Sequence, residues 1–324
     1  MPDPACDPST ANLLDTRVQS RTVELLRRLA PVEGYTLSPV PEVRYLRSDR
    51  PLMRTPVLYE PGIVIVCSGR KRGYFGNEVL RYDTQHYLVV SVALPFSMET
   101  DASPAQPLLA LYVRLNFRVV ADLLMEIDEA AAHLPVAAPK GMVSSTLEPM
   151  LQATVLRFLE AMASPVDAAV LGASLLRELY FRALLGSQGG SMRAALAAQG
   201  QFGKIARAIR RIHAEYTAPL KVAALAETAG MSSASFHAHF KQVTQVSPLQ
   251  YLKSTRLHQA RLLLVRQAIT AAQAGAQVGY ESPSQFSREF KRFFGRSPLR
   301  EADRLRAAFA LPAAAEGDPY VSSH

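Results

Sequence analysis

At 324 residues, with 36 Lys+Arg against 28 Asp+Glu, a net charge of +8 and two cysteines, the chain is long enough for two separate cores. It is too poor in cysteine for a disulfide framework or a cysteine zinc site. No apolar run approaches the roughly 18 residues of a membrane span, and Met1-Pro2-Asp3-Pro4 lacks the basic and apolar regions of a signal peptide, so a cytoplasmic protein with no membrane partner is expected.

Residues 1–9 are rich in Pro and Asp and are expected to be disordered. Over 10–30 the apolar residues Leu13, Leu14, Val18, Leu25, Leu26 and Leu29 recur at a helical period that Pro31 ends. From residue 43 the period shortens to strands, expected at 57–59, 63–68, 74–75, 79–82, 87–94, 96–99 and 108–115. Pro61-Gly62, Ser68-Gly69, Gly76-Asn77 and Pro104 separate them, a spacing that suggests a small barrel or jelly roll. Helical period returns at 117–128, 147–162 and 167–185. Leu151, Val155, Phe158, Leu159 and Met162 form one apolar stripe, and Leu171, Leu175, Leu179 and Leu184 contribute to another. Such stripes serve either packing within one subunit or a homodimer. Residues 187–203, with Gly189-Gly190 and Gly200, read as a linker containing one short Ala-rich helix.

The basic charge is concentrated beyond that linker. Residues 201–310 hold 17 Lys+Arg against 6 Asp+Glu, while the rest of the chain holds 19 against 22, as in a nucleic-acid module joined to something else. Within it one pattern is written twice. Ser232, Phe236, Phe240 and Lys241 recur as Ser282, Phe286, Phe290 and Lys291, and Ser247-Pro248-Leu249 returns as Ser297-Pro298-Leu299. Each copy follows an apolar helix that stops at Gly230 or Gly279. Helix, glycine turn and Ser-capped second helix make a helix-turn-helix.

Helical spacing puts Phe236, Phe240 and Val243 on one buried stripe and Phe286, Phe290 and Phe293 on the other. The opposite faces carry Ala234, Ala238 and Lys241 with His237, and Ser284, Arg288 and Lys291 with Gln285 and Ser287. These are expected to be the residues that touch double-stranded DNA. Arg reads guanine or phosphate, Gln and His donate adaptably, and alanines allow close approach to thymine methyls. Between the copies Ser247 caps and Pro248 starts a helix running to about Arg266. A rod of about 28 Å approaches the roughly 34 Å turn of B-DNA, so both second helices would reach successive major grooves.

Leu220-x-Val222-x-x-Leu225-Ala226 running into Ala229-Gly230-Met231-Ser232, and Val278-Gly279-Tyr280-x-Ser282 through Phe286-Ser287-Arg288-x-Phe290-Lys291-Arg292-x-Phe294-Gly295-x-Ser297-Pro298, resemble the AraC/XylS transcription regulators. Pro61-Gly62-Ile63 to Gly69-x-Lys71, Gly76-Asn77-Glu78, Tyr87-Leu88-Val89-Val90-Ser91 and Leu94-Pro95 resemble the AraC-type amino-terminal domain, a cupin-like β-barrel. The fold class expected is therefore α+β and multi-domain: a small cupin-like β-barrel plus helices, then an all-α double helix-turn-helix. Its division is residues 1–30 tail and helix, 31–116 barrel, 117–186 helices for internal packing or dimerisation, 187–203 linker, 204–305 DNA-binding domain and 306–324 tail. The resemblance further implies RNA polymerase as a partner, activation more often than repression, and an effector-sensing or dimerising barrel. Cupin enzymes bind metal through paired histidines; here His86 stands alone and the next histidine, His133, lies beyond the barrel, so no metal, cofactor or catalytic residue is expected. Where the family has Ala before the second glycine turn this chain has Gly275, which suggests a less rigid second unit. The rival functions are a DNA-tethered cupin-type enzyme and a non-specific architectural DNA-binding protein.

Overall fold

The computed structural model describes residues 8–130, 134, 137–197, 200–267 and 269–308. Residues 1–7 of the segment expected to be disordered, His133, and residues 309–324 of the tail lie outside the described residues. Helix α1 (Pro8–Leu29) leads into β1 (Gly34–Leu37), β2 (Val43–Ser48), β3 (Leu52–Tyr59), β4 (Gly62–Ser68), β5 (Arg70–Phe75), β6 (Glu78–Asp83), β7 (His86–Val90), β8 (Leu94–Asp101) and β9 (Leu108–Arg114). Then come α2 (Phe117–Ala130), β10 (Met142–Thr146), α3 (Pro149–Met162), α4 (Pro165–Leu185) and α5 (Gly189–Leu196). Seven helices complete the described chain: α6 (Gly200–Glu215), α7 (Val222–Ala229), α8 (Ser233–Thr244), α9 (Pro248–Gln267), α10 (Ala271–Gln277), α11 (Pro283–Phe294) and α12 (Pro298–Ala308).

The strands form one antiparallel sheet in the order β1-β2-β9-β4-β7-β6-β5-β8-β3, with β10 added beside β7. The sheet is curled but ends at β1 and β3, a half-barrel rather than a closed barrel. Alternation in β8 turns Leu94, Phe96, Met98 and Thr100 inward and Pro95, Ser97 and Glu99 toward the rim. In β4 and β9 almost every side chain is buried, because both faces are covered. Val64, Val66 and Ala110 face the concave core. Ile63, Ile65, Leu109 and Leu111 face the helices on the convex side.

Strands β1, β2 and β10 differ from the expectation. Arg44 and Arg47 interrupt the apolar pattern of β2, and β10, three of whose five residues are Ser or Thr, falls between the stretches read as helical at 117–128 and 147–162; its pairing with β7 from Met142↔Val90 to Thr146↔His86 fixes it as a strand. The run read as one strand over 87–94 divides at Ser91–Ala93, between β7 and β8. The short Ala-rich helix expected within the linker is α5, and its Met192 and Ala195 are buried. The apolar stripes of α3 and α4 are consumed inside the subunit: Leu151, Val155, Phe158, Leu159, Met162, Leu179 and Leu184 join the core beneath the sheet. Val166, Val170 and Leu171 of α4 remain exposed.

The concave core of the sheet continues into the later helices, since Phe202, Ile205, Ile209, Phe236, Phe240 and Tyr251 share one cluster with Val57, Tyr59, Phe96 and Met98. Two buried polar links cross that junction. Tyr251 Oη donates to the Ala93 carbonyl at 2.6 Å, so the 2.7 Å bond to His213 Nε2 is donated by the imidazole. Arg261 of α9, fully buried, donates to the Pro56 carbonyl of β3 at 3.1 Å, pairs with Glu301 of α12 at 3.5 Å and stacks 4.2 Å over the Phe294 ring. Removing one partner of such a buried pair typically costs about 3–5 kcal/mol.

Candidate nucleic-acid interface

Helix α7 ends where Gly230 turns the backbone to φ 60°, a left-handed conformation that glycine adopts without a Cβ clash. Ser232 then caps α8 by accepting from the Ser235 amide at 3.3 Å. The second unit repeats the device. A Thr270/Gln273 capping box opens α10, Gly279 turns the chain at φ 85°, and Ser282 caps α11 by accepting from Gln285 at 3.3 Å, with Pro283 in its first turn. Gly279 is required twice over, because a Cβ there would lie 2.4 Å from the Thr217 carbonyl oxygen. Arg256 of α9 ties the second turn and the α6–α7 connection to the rod by donating to the carbonyls of Gly279 at 3.0 Å and Ala218 at 2.8 Å.

The 20 residues of α9 make a rod of about 30 Å. Its first half packs on α8, with Tyr251 5.4 Å from Phe240 between ring centroids. Its second half packs on the other unit: Leu257, Ala260 and Leu264 share a core with Phe286, Phe290 and Phe294. Gly275 fills a structural need there, since a Cβ would sit 2.9 Å from Cγ of Phe286. The position reflects tight packing rather than a loosened second unit.

Burying Phe236 and Phe240, and Phe286, Phe290 and Phe294, leaves the opposite face of each second helix outward. Ala234, His237, Ala238 and Lys241 are exposed on α8, and Ser284, Gln285, Arg288 and Lys291 on α11; Ser287 is half-buried. The half-barrel packs against α9 through β3 and β8 and leaves all eight of these residues exposed. The sequence analysis did not single out Glu289, the one acid of that helix. Its carboxylate accepts from Lys253 Nζ at 3.0 Å, Tyr280 Oη at 2.9 Å and Gln285 Nε2 at 3.3 Å. The signal was present as Gln and Glu four apart on a helix.

Two glycine-turned, serine-capped helix pairs on one rod, each with an open face of small, amide and cationic side chains, define a double helix-turn-helix DNA-binding module; here it is joined to a half-barrel. Residues 39–191 match the family described as "AraC-type transcriptional regulator N-terminus", and residues 225–304 match "Helix-turn-helix domain". Among the relatives, the HTH-type transcriptional regulator AlkR of Acinetobacter baylyi is 36% identical over 95 residues, 29% of this chain and 31% of that protein. The RCS-specific HTH-type transcriptional activator RclR of Escherichia coli is 36% identical over 85 residues, 26% of this chain and 30% of that protein. The chain thus spans about a third of the length of the curated relatives it matches. Crystal structures of Vibrio cholerae ToxT share the fold: an apo form carrying a single lysine-to-alanine change has a TM-score of 0.56 at 11% identity, covering 84% of this chain and 99% of that chain. The unsaturated fatty acid bound form has a TM-score of 0.55 at 13% identity, covering 86% and 100%. The chain belongs to the AraC/XylS family of transcription regulators.

Among the described residues no group of three or more His, Cys, Asp and Glu is placed to hold a metal ion. His86 lies on β7 with Nδ1 2.9 Å from Asp83 Oδ1. No helix among the described residues is long and apolar enough to cross a membrane.

Proposed function

We propose that the chain is a sequence-specific transcription activator whose two helix-turn-helix units read successive major grooves on one face of the duplex. The observation that carries this reading is the pair of open faces on α8 and α11, joined by a single rod of about one helical turn of DNA. Arg288 and Lys291 contact guanine or phosphate in one groove, with Ser284, Gln285 and Ser287 beside them. His237 and Lys241 are the polar readers in the other, where Ala234 and Ala238 allow close fit. RNA polymerase is the partner through which such a protein activates, and the relative RclR is named an activator.

The amino-terminal half-barrel is the sensing part of the same proposal. A cleft of about 580 Å³ between it and α8 is lined by Phe75, Met142, Phe202 and Val243 together with Lys140 and His239, a size and mixture suited to a small organic effector. ToxT has been crystallised with an unsaturated fatty acid, which supports an amphipathic ligand here. The exposed Val166, Val170 and Leu171 of α4 support a homodimer through that face rather than through the buried stripes.

Selection from randomised duplexes tests the central claim. An enriched, asymmetric two-part site is expected. Uniform binding of all sequences would instead favour the architectural rival.

A further inference from the structure

Gln285 stands one turn before Glu289 on α11, and their side chains meet at 3.3 Å between Nε2 and Oε1. An ionised carboxylate accepts hydrogen bonds and donates none, so the amide must turn its nitrogen, not its oxygen, toward Glu289. The carboxylate is itself held from two other directions. Lys253 reaches it from α9 at 3.0 Å, and Tyr280, from the turn before α11, donates to its other oxygen at 2.9 Å. Burial works against the charge, but the hydrogen bonds from Lys253, Gln285 and Tyr280 outweigh it and hold the Glu289 carboxyl below the usual glutamate range. Glu289 is therefore an ionised acceptor at neutral pH, fixed to the rod and to the turn.

An unrestrained glutamine on an exposed helix face rotates about its last torsion and offers its donor and acceptor in either order. Gln285 has lost that freedom. With the N–H on the Cγ side of its amide given to Glu289, Oε1 and the other N–H lie side by side and remain for a base edge. One acceptor beside one donor matches adenine, which presents N7 and the N6 amino group in the major groove, and mismatches guanine, which presents two acceptors. Arg288, the next cation on this face, is exposed and forms no ion pair among the described residues.

We propose that Glu289 is a positioning residue that orients Gln285 to read an adenine, and that one base pair of the site owes its identity to this pair. The inference rests on α11 being a recognition helix. A bland alternative is that Glu289 only clamps α11 to α9 through Lys253.

The test uses the full chain, Gln285→Ala, Glu289→Gln and the double variant, each put through selection of randomised duplexes. Each is then titrated against the wild-type consensus and its single-base changes. Gln285→Ala is expected to lose, at one base pair, the roughly 5- to 150-fold preference for adenine of a bidentate contact. Glu289→Gln should lose most of the same preference at the same base pair, with the other positions intact, and should add no further loss in the Gln285→Ala background. A loss spread evenly over all sequences, a loss at a different base pair, or one that persists without Gln285 would make Glu289 a clamp and overturn the proposal. Gln285→Ala leaving every base preference unchanged would overturn it too. Should Glu289→Gln melt early, the exposed Gln285→Ala variant decides: its adenine preference must vanish, or the proposal fails. A wild-type chain that selects no consensus is a different failure, that of the recognition reading itself.

Discussion

Arg288 and Lys291 stand on the same exposed face of α11, yet their expected roles differ. Arg288 lies nearer the helix start, the part of a recognition helix that meets base edges, and its planar fork suits a guanine. Lys291, further along, is a flexible point charge suited to phosphate. Arg288→Ala is expected to cost about 1–3 kcal/mol on the selected site and to relax preference at one position. Lys291→Ala should weaken all duplexes alike and lower the salt slope by about 1; equal losses from Arg288→Ala on selected and random DNA would reassign it to phosphate. Gly275 gives a prediction of the opposite kind. Alanine is the better helix former by about 1 kcal/mol, but its Cβ would collide with Phe286, and overpacking costs about 1–3 kcal/mol. Gly275→Ala should therefore lower stability in denaturant titration, whereas a gain would show that Phe286 yields. The exposed residues of α8 and α11 were legible because a buried Phe stripe dictates what faces out. Gly275 was not, since the need for a missing Cβ arises only from the ring that packs there.

The helices of the second half were legible almost to the residue because Ser caps, Pro first turns and glycine stops are local signals. α9, for instance, was expected from Pro248 to about Arg266 and runs to Gln267. Strands β2 and β10 were not, because their partners, β9 and β7, lie far along the chain and their own composition is polar. The same distance hides the junction in which His213 of α6 donates to Tyr251 of α9, which donates to the Ala93 carbonyl. Burial depresses the His213 imidazole to about 3. Unfolded, it titrates near 6.5, so between those values the unfolded chain binds one more proton. Stability from this group is complete above pH 6.5 and falls, at about 1.4 kcal/mol per pH unit, as pH drops toward 3. Glu60 acts in the other direction: burial raises its carboxyl to about 7, so its contribution is present in acid and is lost as pH rises through about 7. Comparing His213→Gln, which keeps a donor for Tyr251, with the parent isolates the first effect. Chemical denaturation between pH 4 and 6 should show a shallower acid loss for the variant, by about one proton; parallel curves would mean that His213 is protonated in the folded chain.

Across the whole molecule the net charge of +8 divides unevenly, and the division follows the architecture: a slightly acidic half-barrel with its helices, then a basic module of α6–α12. The half-barrel grips that module along α9 through Arg261 and Tyr251, the helix from which both recognition helices hang. A rod held in this way fixes the spacing of the two reading faces before DNA arrives, so little ordering remains to oppose binding. Its length of about 30 Å is close to one turn of B-DNA at roughly 34 Å, and half-sites one turn apart lie on the same side of the duplex. Footprinting of the full chain on its selected site is therefore expected to show two protected patches about 10 base pairs apart on one face. The patches should differ in sequence, because the exposed face of α8 carries His237 and two alanines while that of α11 carries Gln285 and Arg288. Lys241→Ala should weaken the patch under α8, and Arg288→Ala the patch under α11, each leaving the other in register. A single protected groove, or two patches on opposite faces, would show that α9 does not set the spacing.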